Sequence, residues 1–204
     1  LPLCEKLGWQ WDINKLESVI SNKTKMIAVC HPNNPTGSIV SKENIRKIID
    51  IASKNDCWIL SDEVYRGAEL NGLESSSFYG NYEKTIVSAG LSKAYRLPGL
   101  RLGWTIGPKC YIKKAWAFHD YTSISIAYHS DWIASKILDS KRRKIILDGT
   151  KRHLNENLNT LVQKGYLKEI LVEKKTFYDT NLTDHIHVYD QEKKEIFDYR
   201  EYHH

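Results

Sequence analysis

The sequence predicts an α/β protein: a mainly parallel sheet with flanking helices, followed by a small α+β segment at the C-terminal end. Two observations carry this expectation. Short apolar runs alternate with helical stretches over links of a few residues, the pattern of buried strands joined by helices. Three of these runs stop abruptly at "HPNNPTG", "SDEVY" and "SAGLSK". In such sheets ligands sit beyond the carboxyl ends of the strands, so the three strand ends are expected to converge on one site. The expected division is residues 1–150 for the sheet domain and 151–204 for a smaller domain or an atypical tail.

The elements follow in order. Leu1 stands where an initiator Met is absent, and the pattern opens midway, which reads as a segment cut from something longer. "DINKLESVISN" places Ile13, Leu16, Val19 and Ile20 behind a capping Asp12 and reads as a short helix. "KMIAVCHP" is a continuous apolar run stopped by His-Pro, suited to a strand buried on both faces. "SKENIRKIIDIASKND" carries Ile45, Ile48, Ile49 and Ala52 at helical spacing behind Ser41, so a capped amphipathic helix is expected over 41–54. "CWILSDEVY" is apolar to Leu60 and then acidic, a strand whose carboxyl end bears Asp62 and Glu63. "KTIVSAG" and "RLGWTIG" are two more short strands. From Pro108 to about Gly165 the pattern is helical, one or two long amphipathic helices. Beyond it, "HIHVYD" and "EIFDY" read as short strands.

Composition narrows the function classes. The 204 residues are 41% hydrophobic and 27% charged, ordinary globular values. The net charge of +5 is small and scattered, so nucleic acid is not implied, whereas a phosphate-bearing small ligand is compatible with it. "KRRK" at 141–144 reads as a solvated helix face rather than a binding patch. Cys4, Cys30, Cys57 and Cys110 are widely spaced, without a CxxC pair, and read as buried free thiols of a reducing compartment. No apolar run reaches the roughly 18–20 residues that a bilayer span needs, and no signal pattern opens the sequence, so the cytoplasm is expected. His185 and His187 alternate on a strand face without Cys or carboxylate partners at metal-ligand spacing, and no metal site is expected. His203 and His204 read as a frayed terminus or tag remnant.

The chemistry-bearing residues lie at the strand ends. Asp62 follows buried apolar residues, so its carboxylate needs a cation or a donor. A cap or structural ion pair meets that need, and so does a protonated ring nitrogen of a ligand. Lys93 sits among small and hydroxyl residues in "SAGLSKAYRLPGLRLGW". A lone lysine on a turn is ordinarily a surface residue, but partial burial beside Arg101 would lower its pKa toward that of a nucleophile. Arg101 has the planar fork that grips phosphate.

"HPNNPTG", "SDEVY" and "SKAYRLPGLRLGW", in this order and spacing, resemble the class I/II group of fold-type I aminotransferases, over about residues 1–165. The resemblance implies the large-domain fold of pyridoxal phosphate-dependent transferases. It also implies pyridoxal 5'-phosphate as cofactor, amino acid and 2-oxo acid as substrates, no nucleic acid or membrane partner, and a homodimer in the full-length form. By resemblance Lys93 forms the internal aldimine and shuttles the proton at the substrate Cα. Asp62 partners the pyridinium nitrogen, Tyr65 and Asn34 serve the ring's 3-oxygen, and Arg101 with Ser92 serves the phosphate. A β-lyase, a cyclising enzyme or a non-catalytic fragment would share these residues. Many relatives carry a phosphate-binding Ser or Thr three residues before the lysine. Here that position is Gly90, so the phosphate either has one ligand fewer or takes it from Ser88 or Ser92. Nothing before Asn34 resembles the family's glycine-rich phosphate turn or its stacking aromatic residue, and Arg200 does not match its carboxylate-binding arginine.

Overall fold

A computed structural model of the chain describes residues 1–4, 7–70, 72–172, 175–183, 185–191 and 195–198. Residue contacts divide it into two units, Leu1–Lys151 and Arg152–His204. Arg200, His203 and His204 lie outside the described residues.

The first unit opens with a two-stranded ladder, β1 (Leu3–Cys4) against β2 (Gln10–Trp11), and the short helix α1 (Ile13–Val19). Asp12 caps α1 as expected, its Oδ1 accepting the Asn14 and Lys15 amides at 3.0 and 3.2 Å. The main sheet comprises β3 (Met26–Cys30), β4 (Trp58–Asp62), β5 (Thr85–Gly90) and β6 (Gly103–Ile106), in that order. β3, β4 and β5 run parallel, and β6 pairs antiparallel at the edge.

Helix α2 (Lys42–Lys54) makes the crossover from β3 to β4, and Ser41 caps it by accepting the Asn44 amide. Its apolar stripe buries Ile45, Ile48, Ile49, Ile51 and Ala52 in one cluster with Ile27, Val29, Ile59 and Phe78. Each such aliphatic side chain contributes about 1.5–3 kcal/mol by leaving water, and these residues form the main core. One expectation is corrected here: β3 is buried on one face only. Ile27 and Val29 point into the core, whereas Met26 and Ala28 are exposed, because β3 is an edge strand with α2 on a single side.

The helical region is also corrected, since three helices replace the one or two expected: α3 (Lys109–Thr122), α4 (Tyr128–Ile137) and α5 (Ser140–Gln163). The breaks have local causes. Ile124 adopts a left-handed φ of 62° in a β-branched "SISI" stretch, and Asp139 accepts the Lys141 and Arg142 amides, restarting the chain as a new helix. A second buried cluster joins Leu91, Ala94, Tyr95 and Leu102 to Ala134 of α4 and Leu147 of α5.

The thiols differ from the sequence reading too. Only Cys57 is buried; Cys4 and Cys30 are half-buried, and Cys110 is exposed at the start of α3. No described helix is long and apolar enough to cross a membrane. The second unit contains two antiparallel hairpins, β7 (Lys168–Val172) with β8 (Lys175–Asp179) and β9 (His187–Asp190) with β10 (Glu195–Asp198). The strand begins at His187, so His185 lies in the loop before it.

Ile48 has no exposed surface, so truncation leaves a cavity that α2 and the sheet cannot close. Ile48→Ala is expected to lower unfolding stability by about 2–5 kcal/mol in urea titration, whereas the exposed Ile145→Ala is expected to cost under about 0.5 kcal/mol.

Candidate active site

The strand ends converge because the parallel register aligns them. Cys30, Asp62 and Ser88 stand side by side at the carboxyl edge of β3, β4 and β5. The ladder continues one residue beyond: the His31 amide donates to the Asp62 carbonyl and the Glu63 amide to the Ser88 carbonyl, both at 2.8 Å.

Each motif then turns. After β3 the chain passes cis peptides at His31-Pro32 and Asn34-Pro35, and Gly37 closes the turn with its amide on the Asn33 carbonyl. Gly37 has a φ of 69°, a conformation that side-chain-bearing residues resist. This presents Asn34, whose Nδ2 donates to the Tyr65 hydroxyl at 3.0 Å. The two residues are thirty-one positions apart, and the sheet register is what joins them. Asp62 is half-buried, and its Oδ1 accepts the Val64 amide at 3.2 Å, so the carboxylate caps the turn that carries Tyr65.

Lys93 occupies the turn after β5. The Leu91 amide donates to the Leu102 carbonyl and the Ala94 amide to the Val64 carbonyl, fastening this turn to β6 and to the Asp62 turn. Thr150 of α5, itself buried, donates to the Ala94 carbonyl at 2.8 Å. Leu91 and Ala94 are thus anchored on either side of the lysine, whose Nζ lies 5.8 Å from the centre of the Tyr65 ring. Ser92 is half-buried beside it. Arg101 has a left-handed φ of 50°, is exposed, and turns its Nη1 onto the Pro98 carbonyl at 3.0 Å.

The partial burial expected for Lys93 is not found: the residue is exposed, and among the described residues no element covers it. Gly90 also gains a reason of its own. It faces Gly103 across the β5–β6 ladder, and a Cβ there would stand 3.3 Å from the Leu102 carbonyl oxygen. Close strand approach leaves a side chain there only a tight fit, to which the facing backbone must yield by a few tenths of an ångström.

Several residues that position the site carried no signal that sequence reading used. Glu63 is buried, and its Oε1 accepts from Ser61 Oγ at 3.1 Å, Ser77 Oγ at 2.9 Å and the Phe78 amide at 3.0 Å. His31 is fully buried; its Nδ1 accepts the Val40 amide at 3.1 Å, so Nε2 carries the proton and donates to the Ser76 carbonyl at 2.9 Å. Burial pushes the His31 imidazole below its ordinary value, against the pull of the Ser76 carbonyl, Glu63 and Glu69. Within "KRRK", Lys141, Arg142 and Lys144 are exposed as expected of a solvated face, and Arg143 alone departs from it, being half-buried. It forks onto Glu74 at 2.9 and 2.5 Å and donates from Nε to the Tyr95 hydroxyl at 2.9 Å. That hydrogen bond to Arg143 holds the Glu74 carboxyl below its usual range.

An amine, an amide–hydroxyl pair and a carboxylate are thus gathered at the carboxyl edge of a parallel sheet, the place where ligands sit in folds of this kind. The chain belongs to the class I and II aminotransferase family, whose family model matches residues 2–178. Among its relatives, an aromatic-amino-acid aminotransferase of Thermococcus litoralis is 29% identical over 162 residues, covering 78% of this chain and 42% of the relative. An aspartate aminotransferase of Pyrococcus horikoshii is 32% identical over 168 residues, covering 80% and 42%. The crystal structure of a pyridoxal phosphate-dependent aminotransferase from Streptococcus suis superposes with a TM-score of 0.72 at 34% identity, covering 81% of this chain and 44% of that one. The chain therefore spans less than half the length of these relatives.

A buried imidazole that resists protonation makes the folded state bind fewer protons than the unfolded chain below the ordinary histidine pKa. Stability is therefore expected to fall as pH drops through 6.5, with a His31 contribution of at most about 1.4 kcal/mol per pH unit. Urea titrations of native and His31→Gln protein between pH 7.5 and 5 check this; the variant should show the shallower slope.

Proposed function

We propose that this chain is part of a pyridoxal 5'-phosphate-dependent aminotransferase that moves an amino group between an amino acid and a 2-oxo acid. The observation that carries the reading is the Asn34–Tyr65 hydrogen bond with the Lys93 amine beside the same ring, at the edge that also bears Asp62. This donor set fits the cofactor. Lys93 would hold it through its amine, Asp62 would accept from the ring nitrogen, and Asn34 and Tyr65 would donate to the 3-oxygen. Arg101 and Ser92 would hold the phosphate. When bound, the cofactor supplies an electron sink for the pair released at the substrate Cα. Lys93 then moves the proton to and from that carbon, and its anchored neighbours Leu91 and Ala94 keep the amine within reach.

The same reading assigns residues 1–150 to a cofactor-binding large domain and 151–204 to a small domain or atypical tail, in line with the change of unit after Lys151. It also assigns a homodimer to the full-length protein, in a cytoplasmic setting. Support for a covered face comes from Trp116, Phe118, Tyr121, Ile124, Tyr128 and Trp132, all more than half exposed along α3 and α4.

Titrating the protein with pyridoxal phosphate is expected to give an absorption band at the visible edge and, after borohydride reduction, a cofactor mass on the peptide of Lys93. Lys93→Ala should abolish both and slow the amino-acid half-reaction by about 10²–10⁴-fold. A band that survives this substitution overturns the assignment of Lys93. Elimination products in place of 2-oxo acids assign a lyase instead.

A further inference from the structure

We propose that Asp179, His185 and His187 form a binding site for a divalent transition-metal ion, with zinc as the best match. The three come from different places: Asp179 ends β8, His185 lies in the following loop, and His187 begins β9. The loop brings both imidazoles to one carboxylate oxygen. His185 Nε2 lies 2.9 Å and His187 Nε2 lies 3.2 Å from Asp179 Oδ2, and the two ring centres are 4.3 Å apart. All three ligand atoms fall within 4.8 Å of one another. The side chains are 12%, 21% and 16% exposed for His185, His187 and Asp179, so solvent screens them only in part.

Hydrogen bonding decides what this cluster is suited to. His185 Nδ1 faces the Thr183 carbonyl at 2.7 Å, an acceptor, so this nitrogen carries a proton. In the neutral ring the Nε2 lone pair is then aimed at the Asp179 oxygen, and two electron-rich atoms at 2.9 Å are bridged by a cation, either a proton or a metal ion. Asp179 is likewise oriented, its Oδ1 accepting the Asn181 amide at 2.8 Å, which leaves Oδ2 to the imidazoles. Outer hydrogen bonds that fix the ligand atoms are the usual support of a metal site. Lys168 Nζ also donates to the Thr183 carbonyl, at 3.1 Å, a positive charge on the outer side of that support.

Two imidazoles and one carboxylate are a borderline nitrogen–oxygen set of the kind that holds zinc, with one position left for water. Tetrahedral zinc at bond lengths of about 2.0–2.2 Å sets its ligand atoms about 3.3 Å apart, so the two nitrogen–oxygen separations need only a few tenths of an ångström of adjustment, and the two nitrogens already lie within 4.8 Å of each other. The ion would clip β8 to β9, where Phe177 and Tyr189 already meet edge to face with centres 6.4 Å apart. None of the residues proposed for amino transfer takes part, so this inference and that reading fail or stand separately.

Spacing along the chain does not single out the cluster, because Asp184 and Asp190 stand nearer to the two histidines in sequence than the carboxylate that meets them. Asp179 is supplied by the end of the preceding hairpin, six and eight residues away.

Titration of the full 204-residue chain with zinc chloride at neutral pH, followed by calorimetry, tests the site. One equivalent is expected to bind, in the native chain and equally in His203→Ala/His204→Ala. Asp179→Asn, His185→Gln and His187→Gln should each weaken binding at least about tenfold. Zinc-edge X-ray absorption of the unaltered loaded chain should show two imidazole ligands, which keeps the test decisive if a variant misfolds. No zinc uptake, uptake that follows His203 and His204, or a spectrum lacking paired imidazoles overturns the proposal.

Discussion

The Glu63 carboxylate is the constraint on which the site depends. A buried charge is costly unless donors meet it, and Glu63 meets three on a single oxygen, from Ser61, Ser77 and Phe78. Ser61 lies on β4 itself, whereas Ser77 and Phe78 belong to the segment that leads toward β5. The carboxylate therefore ties the end of one strand to the entry of the next. His31 grips the same segment from the β3 side through Ser76. With both contacts in place, the turns carrying Asn34 and Asp62–Tyr65 have one fixed relation, and the Asn34–Tyr65 hydrogen bond follows from it.

The lysine turn depends on a different set of contacts, reaching far along the chain. Leu91, Ala94 and Tyr95 are buried against α4 and α5, and Thr150 adds a hydrogen bond to the Ala94 carbonyl. Gly67 permits this approach, since a Cβ at that position would come 2.8 Å from a Leu147 methyl. Arg143 of α5 extends the connection by bridging Glu74 and Tyr95, and Arg66 Nη1 lies 3.1 Å from the Glu74 Oε1 that Arg143 also holds. Charged pairs at this partial exposure contribute modestly to stability; their value is in fixing position. Helix α5 thus anchors the backbone beside the candidate lysine from more than fifty residues away.

Lys93 and Asp62 nonetheless differ in their surroundings. Asp62 is half-buried within the sheet edge and already accepts one backbone amide, whereas Lys93 is exposed over Tyr65. A carboxylate set by β-sheet register is oriented by the fold itself. An amine on a long, flexible stem is oriented only when something covers it. The chain spans less than half the length of its relatives, and the described residues leave the lysine uncovered.

Local periodicity and contiguous motifs are enough to specify the parallel α/β class, the capped helix α2 and the strands at 26–30, 58–62, 85–90 and 103–106, and a family resemblance carried by the motifs nominates the six candidate residues. Other features are encoded by neither period nor motif. The break of one helical pattern into α3, α4 and α5 turns on backbone geometry at Ile124 and a cap at Asp139. The roles of His31, Glu63, Arg143 and Thr150, and the meeting of Asp179 with His185 and His187, arise from contacts between separate turns, helices and strands. Folding in three dimensions settles these, since a buried polar group takes its partner from whatever the fold places within hydrogen-bond reach, at any distance along the chain.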